Sequence, residues 1–162
     1  AVIDAVLQEA DQRNIPTAVD PKVKNFWAYR GVTLFKPNLR EIRNQYPDRI
    51  EPVLASLNEA ARFIRNQIDN QLVIITLSEK GLFFSDLGEE GIIPAFPRII
   101  SDVSGAGDTV ISVAALCLAQ GMPPKDMALL SNIAGGQVCE KPGVVTVDKA
   151  ALSEEYRRRA GE

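Results

Sequence analysis

A continuous apolar run, Leu72–Leu77, is the feature that most restricts the fold of this chain. A run of this length, largely β-branched and without polar alternation, is typical of a strand covered on both faces in a parallel sheet. The preceding segment, residues 51–70, carries apolar residues at helical spacing, with Pro52 where the first turn of a helix tolerates it. A covered strand directly after an amphipathic helix predicts the α/β class.

The rest of the chain continues the alternation of strands and helices. Residues 1–10 predict a helix, 15–19 and 32–35 predict short strands, and 81–84 with 91–96 predict a hairpin whose Pro94 favours a sheet edge. Three more helices are predicted over residues 107–120, 124–140 and 149–159. The first of these is apolar nearly all round, so we expect it to be buried. We predict a single domain over residues 1–162.

Composition and charge exclude several classes of function. With 18 Lys and Arg against 21 Asp and Glu, the net charge of −3 gives no broad basic surface, so nucleic acid is not an expected partner. The absence of His removes Ser-His-Asp hydrolysis and His-based zinc chemistry. Cys117 and Cys139 are expected to be buried thiols in a reducing compartment. No apolar run approaches the about 20 residues that span a bilayer, so no membrane segment is predicted.

The stretch Asp102–Thr109 joins a glycine-rich turn to the start of an apolar helix. Small residues let the backbone approach a ligand, and the first N–H groups of a helix have no partners within it, so the turn favours an anion such as phosphate. The Asp108 carboxylate repels phosphate, so its place beside an anion site makes sense only if it serves a reacting hydroxyl. The alternative is that Asp102 or Ser104 caps the helix and Asp108 complements its dipole. The residues fit neither a P-loop nor a dinucleotide fingerprint.

The pattern Asp-x-x-Gly-Ala-Gly-Asp at residues 102–108 resembles a signature of the ribokinase-like (PfkB) carbohydrate kinases. The resemblance implies a three-layer αβα fold with a mostly parallel sheet. It also implies an anion hole for the transferred phosphoryl group at Gly105, Ala106 and Gly107, with Asp108 accepting the proton of the sugar hydroxyl. Phosphoryl transfer needs positioning and charge neutralisation, so a chain without His can perform it.

Three further segments follow the order of this family. Asn38 and Glu41 match an Asn-x-x-Glu motif that organises Mg²⁺ and phosphate, although the same pair is also a helix-capping pattern. Thr76, Ser78 and Gly81 resemble the nucleotide loop Thr-x-Gly-x-x-Gly, with Ser78 in place of the first glycine. The segment 131–143 resembles the wall of the adenine pocket, and tight helix packing is the alternative for its small residues. The pocket residues implied there are Asn132, Gly136 and Cys139.

Within the family, the chain looks most like the heptose 7-phosphate kinases of lipopolysaccharide-precursor synthesis. The residues behind this resemblance include Asp20 and Lys22, which it places against the sugar phosphate, although Lys22 could equally be a surface lysine. The implied reaction transfers the γ-phosphoryl group of ATP to O1 of D-glycero-β-D-manno-heptose 7-phosphate. The alternatives are another kinase of the family (ribokinase, fructokinase or phosphofructokinase type) or a non-catalytic nucleotide-binding module.

The start of the chain predicts that it is a fragment, because residue 1 already lies in a helical pattern and is not Met. The resemblance makes it the C-terminal part of a kinase whose N-terminal strands and lid are missing. By itself we expect such a part to bind nucleotide and to transfer little phosphate. For the complete enzyme the resemblance implies ATP and Mg²⁺, a monovalent cation near Asp102 and Ser104, a cytoplasmic location and a homodimer.

Overall fold

A five-stranded sheet forms the centre of the computed structural model, which describes residues 2–161. Strands β1 to β3 pair in parallel, and β3, β4 and β5 pair antiparallel, so every strand except β4 runs in one direction. This confirms the predicted mostly parallel sheet. The hairpin is also confirmed, with β5 at the sheet edge and Pro94 directly after it. The strands, in sheet order, are β1 (Ala18–Val19), β2 (Leu34–Phe35), β3 (Leu72–Thr76), β4 (Leu82–Ser85) and β5 (Glu90–Ile93).

Six α-helices accompany the sheet in the described part of the chain. The helix predicted over residues 51–70 is shorter, because Pro52 lies before its N-cap Val53 and Asp69 ends it in a left-handed conformation. The helix predicted from residue 1 is found from Val2, and Ala1 lies outside the described residues. The helices are α1 (Val2–Gln12), α2 (Leu39–Arg43), α3 (Leu54–Ile68), α4 (Ala106–Ala119), α5 (Pro124–Cys139) and α6 (Lys149–Ala160).

Helices cover both faces of the sheet, and each face has its own apolar core. Alternate residues of β3 divide between them: Val73 and Ile75 pack with α3 on one face, whereas Leu72 and Ile74 pack with α4 and α5 on the other. Successive side chains of a strand point to opposite faces, so a strand buried on both must be apolar throughout. This is the physical reason for the run at 72–77, and it confirms the three-layer α/β fold.

The prediction that α4 is buried all round is wrong. Only Val110, Ala114 and Cys117 are buried, and Leu116 on the opposite side is 70% exposed. Helix α4 packs mainly against α5 and reaches β1, so elements of the described chain cover one of its sides. Apolar composition showed that the helix is hydrophobic but could not show which neighbours cover it.

The parallel strands bring several polar residues to one edge of the sheet. Asp20, Lys36 and Asn38 follow β1 and β2, and a parallel bridge joins Asn38 to Thr76 at the end of β3. Carboxyl ends of parallel strands share an edge, which is where ligands bind in open α/β sheets. Among residues 2–161, no helix is long and apolar enough to cross a bilayer.

Candidate active site

The start of α4 presents backbone N–H groups that have no acceptor among the described residues. Gly105 is the N-cap residue, with a φ of 77° that favours glycine, and no side chain caps the helix. Within residues 2–161, the N–H groups of Gly105, Gly107 and Asp108 donate to no protein acceptor. Such groups, at the positive end of a helix dipole, favour an anion. Anion binding at this turn therefore stays a prediction.

Asp102 does not cap α4, so that part of the alternative interpretation fails. Its Oδ1 accepts from the backbone N–H and the hydroxyl of Ser104 at 3.0 and 2.8 Å, and its Oδ2 accepts from the Gly143 N–H at 2.9 Å. The hydrogen bonds from Ser104, and then that from Gly143, lower the pKa of Asp102. Asp102 therefore holds the glycine turn in shape and ties it to the loop after α5. Asp108 is exposed in the first turn of α4.

Asn38 and Glu41 form a complete capping box at the start of α2. The Asn38 Oδ1 accepts from the Glu41 N–H at 2.8 Å, and Glu41 Oε2 accepts from the Asn38 N–H at 2.8 Å. The capping alternative is therefore realised, and it fixes the position of both side chains. The box uses one carboxylate oxygen of Glu41, while the second is engaged by no residue between 2 and 161.

The remaining donor set fits Mg²⁺ held largely through water and substrate. The charges of Glu41 and Asp108 contribute, after that of Asp20, to the raised pKa of Lys22. Among the described residues, however, no three acidic or thiol side chains converge on one metal position. Mg²⁺ commonly keeps several waters and binds through one or two carboxylates together with phosphates. The residues present fit that mode, with Asn38 and Glu41 as its outer support.

Asp20 lies between two lysine side chains at the end of β1. Its Oδ1 is 3.3 Å from the Lys36 Nζ, and its Oδ2 is 3.2 Å from the Lys22 Nζ. Burial lowers the pKa of Lys22, but the Asp20 charge and hydrogen bond outweigh it and, with Glu41 and Asp108, leave this pKa raised. The structure thus places Lys22, a predicted substrate residue, near Asp108, although its side chain is 73% exposed.

Sequence reasoning missed Lys36. Its side chain is only 2% exposed, and a Cβ added to Gly107 would lie 3.9 Å from the Lys36 Nζ. The signal was its position directly after the buried pair Leu34–Phe35, where a two-sided strand continues into covered space. A lysine before Pro37 instead resembles an exposed strand end, which is why the pattern did not single it out.

The predicted nucleotide loop, residues 76–81, forms a short 3-10 turn after β3. Ser78, which replaces the usual glycine, has a φ of 55°, so it adopts the left-handed conformation that favours glycine. Gly81 has a φ of 99°, and a Cβ there would lie 2.1 Å from the Ile93 carbonyl oxygen. The backbone of Gly81 therefore packs closely against the end of β5. Glycine is needed here for the contact between the loop and the hairpin.

The predicted adenine-pocket residues all lie on α5. The Asn132 Nδ2 donates to the Pro94 carbonyl at 2.9 Å, which fixes the side chain of Asn132 against the hairpin. A Cβ on Gly136 would come within 2.5 Å of the Arg98 Nε, so the Arg98 side chain covers this glycine. Cys139 is a buried free thiol whose pKa is raised by burial. Cys139 contacts the segment before the glycine turn through its backbone, because its carbonyl oxygen accepts from the Asp102 N–H at 3.2 Å.

Arg98 is held by two carboxylates beside a cleft of about 480 Å³ between the end of α5 and α6. Its guanidinium donates to Glu140 at 2.8 Å and to Glu155 at 2.6 Å. Burial by itself lowers the pKa of Arg98. The hydrogen bonds and charges of Glu155 and Glu140 outweigh this effect, so the pKa is raised. The cleft includes Arg98 but neither Asp108 nor the glycine turn, so it is separate from the predicted phosphoryl-transfer position.

Comparison with known proteins agrees with this geometry. The family described as pfkB family carbohydrate kinase matches residues 3–150. The bifunctional protein HldE of Syntrophotalea carbinolica is 38% identical over 164 residues, covering 99% of this chain and 33% of that protein. HldE of Trichlorobacter lovleyi is 39% identical over 162 residues, covering 97% of this chain and 33% of its own length. The chain thus spans about a third of the length of these relatives.

Solved structures share the fold at low sequence identity. Phosphofructokinase-2 of Escherichia coli in complex with potassium has a TM-score of 0.85 and 20% identity, covering 98% of this chain and 52% of that one. Ribokinase of Arabidopsis thaliana, complexed with ribose and ATP, has a TM-score of 0.82 and 15% identity, covering 96% and 52%. The fold, the glycine turn beside Asp108 and the family match together lead to one assignment: this chain belongs to the pfkB family of carbohydrate kinases.

Proposed function

We propose that the protein containing this chain transfers the γ-phosphoryl group of ATP to a hydroxyl of a sugar phosphate. Residues 1–162 would be the C-terminal nucleotide-binding and catalytic-base part of its kinase domain. One observation carries the proposal: Asp108 occupies the first turn of α4 beside backbone N–H groups that have no acceptor in the described part of the chain. A carboxylate next to an anion site suits a reaction in which a hydroxyl must lose its proton as it attacks a phosphoryl group.

The proposed step needs one base and one anion hole. The sugar oxygen forms a bond to the γ-phosphorus of ATP while the bond from that phosphorus to the bridging β–γ oxygen breaks, releasing ADP. The hydroxyl proton passes to the Asp108 carboxylate. The free N–H groups of Gly105 and Gly107, with Ala106 between them, stabilise the charge on the transferred group. Asp102 keeps this turn in its binding shape through Ser104.

The nucleotide is proposed to lie along the carboxyl edge of the sheet toward α5. Mg²⁺, when bound, neutralises phosphate charge, and we assign its outer support to Asn38 and Glu41 because the capping box fixes both. A monovalent cation remains a proposed further cofactor near Asp102. The residues proposed to face the nucleotide are Thr76, Ser78, Gly81, Asn132, Gly136 and Cys139. Because the reaction uses ATP and a sugar phosphate, we place it in the cytoplasm.

For the substrate we propose D-glycero-β-D-manno-heptose 7-phosphate, phosphorylated at O1. The support is that identity to the two HldE proteins above is 38% and 39% over nearly the whole chain, against 20% for phosphofructokinase-2 and 15% for ribokinase. Lys22 and Asp20 are proposed to face this substrate, since they pair with each other at the end of β1 and the Lys22 side chain is open to solvent. An ammonium at this place suits a phosphorylated sugar better than a neutral one.

The test is ATP-dependent transfer by the protein that contains this chain. Heptose 7-phosphate, fructose 6-phosphate and ribose are supplied in parallel, and products are identified by mass. Asp108→Asn should lower kcat by about a thousandfold because it removes the base and its charge. Asp126→Asn is the matched control, since Asp126 also lies in the first turn of a helix, α5, and should leave kcat unchanged.

Each outcome separates the alternatives. Transfer to the heptose that is lost in Asp108→Asn supports both the substrate and the base. Transfer only to another sugar keeps the kinase and rejects the heptose. Absence of transfer to any sugar by the wild type would reject the kinase and favour a nucleotide-binding module, and an active Asp108→Asn variant would reject the role of Asp108.

A further inference from the structure

Lys36 is a buried cation that shares its carboxylate partner with a second lysine. Its side chain is 2% exposed, and its one polar partner among residues 2–161 is the Asp20 carboxylate, 3.3 Å away. An ammonium has three donors, and a lysine is almost never buried without full pairing. Asp20 also pairs with Lys22, so two positive charges share one carboxylate. Lys22, Lys36 and Asp20 together therefore carry a net positive charge.

The Lys36 ammonium lies next to Gly107 in the glycine turn at the start of α4. A Cβ on Gly107 would be 3.9 Å from the Lys36 Nζ, so the ammonium and the glycine backbone are neighbours. Within residues 2–161 the N–H of Gly107 has no acceptor, and the Lys36 Nζ is the nearest atom of another segment to a Cβ added there. A buried ammonium and free N–H groups therefore act on the same small volume. Their effects add, because both favour negative charge there.

We propose that Lys36 is a further residue of the phosphoryl-transfer site, whose fixed ammonium stabilises the charge on the transferred phosphoryl group across Gly107. This inference rests on the proposed kinase function. No bond to Lys36 forms or breaks in the step. The lysine is held by the sheet, since its backbone N–H donates to Val19 at 2.8 Å, so its charge needs little reorganisation during transfer.

A purely structural role makes a different prediction. If Lys36 only balances Asp20, its loss is partly covered by Lys22, which contacts the same carboxylate. Stability would then fall while kcat stayed the same, or all nucleotide affinities would fall together. If Lys36 acts on the transferred group, the loss concerns the γ-phosphoryl group specifically. ADP, which lacks this group, should bind nearly as before.

The experiment uses Lys36→Met in the protein that contains this chain. We expect kcat to fall between about tenfold and a hundredfold, and affinity for a non-hydrolysable ATP analogue to fall, while ADP affinity changes less than about twofold. Lys125→Met, at an exposed lysine in α5, controls for the loss of one positive charge. If Lys36→Met does not fold, Lys36→Gln, which removes the charge but keeps a polar side chain next to Asp20, takes its place.

The results distinguish this inference from the proposed function. An active wild type with unchanged kcat in the folded Lys36 variant overturns the role of Lys36 and leaves the kinase intact. Equal losses for ADP and the ATP analogue also overturn it, because they indicate a general change of the nucleotide site. A wild type without transfer to any sugar phosphate overturns both.

Discussion

Replacing Gly81 by alanine should damage the fold more than its small size suggests. Gly81 follows the turn after β3, with a φ of 99° and a ψ of −132°, a region that residues with a Cβ avoid. The new methyl would also lie 2.1 Å from the Ile93 oxygen and 2.6 Å from the Ala95 nitrogen. These are backbone atoms, so no side-chain rotation can relieve the overlap.

The size of the effect follows from two contributions. Holding a non-glycine residue at such dihedral angles costs about 1–3 kcal/mol. Ordinary contacts lie near 3.5 Å, so the end of β5 must also move by more than about 1 Å, which disturbs its pairing with β4 at Leu82 and Ile93. We expect a total loss of about 3–5 kcal/mol in the free energy of unfolding. Domains of this kind are stable by only about 5–15 kcal/mol.

Gly121→Ala is the matched control, and urea denaturation followed by circular dichroism is the assay. Gly121 has a φ of 65°, but nothing lies within 4 Å of its added Cβ, so that variant should lose only about 1 kcal/mol. The difference between the variants isolates the overlap at Gly81. If Gly81→Ala loses no more stability than Gly121→Ala, the reasoning about backbone contact at β5 is refuted.

Two further predictions concern charged side chains. Hydrogen bonds lower the pKa of Asp102, so its carboxylate should stabilise the fold fully above the unfolded pKa of about 4 and lose this effect as the pH falls through the lowered folded pKa. The difference in Tm between wild type and Asp102→Asn should therefore narrow in acid. A constant difference down to about pH 2 would contradict this. Arg98→Met leaves Glu155, whose side chain is 14% exposed, without its partner, and should lose at least about 2 kcal/mol. Adding Glu155→Gln should restore part of that loss in the same denaturation assay, and equal stability of the single and double variants would argue against the ion pair.

The main elements of the fold were predictable from the sequence because their signals are local. The apolar run at 72–77 and the periodic segment at 51–70 identified β3 and α3, and the segments 81–84 and 91–96 identified the hairpin. The ends were less accurate. Pro52 lies outside α3, and the strand predicted over 15–19 is only Ala18–Val19, because pairing with neighbours decides how far a strand extends.

The site was predictable where the backbone itself carries the chemistry. Gly105 and Gly107 indicated a turn with exposed N–H groups, and the structure has that turn. Contacts made by distant segments were not predictable. Arg98 lies 38 positions before Gly136 in the chain and covers it. Nothing in the small residues of α5 indicates an arginine at this place. The resemblance supplied Asp108 as the base, and that role stays a proposal.

The sequence by itself determined the α/β class, the order of elements and the glycine turn before α4. These depend on apolar periodicity and on backbone conformations that a few adjacent residues impose. Only the tertiary structure decided that Lys36 is buried against Asp20, that Gly81 meets β5, and that one side of α4 is open. Burial and charge pairing arise when separate segments pack together, so they are properties of the assembled sheet and helices rather than of any one stretch of sequence.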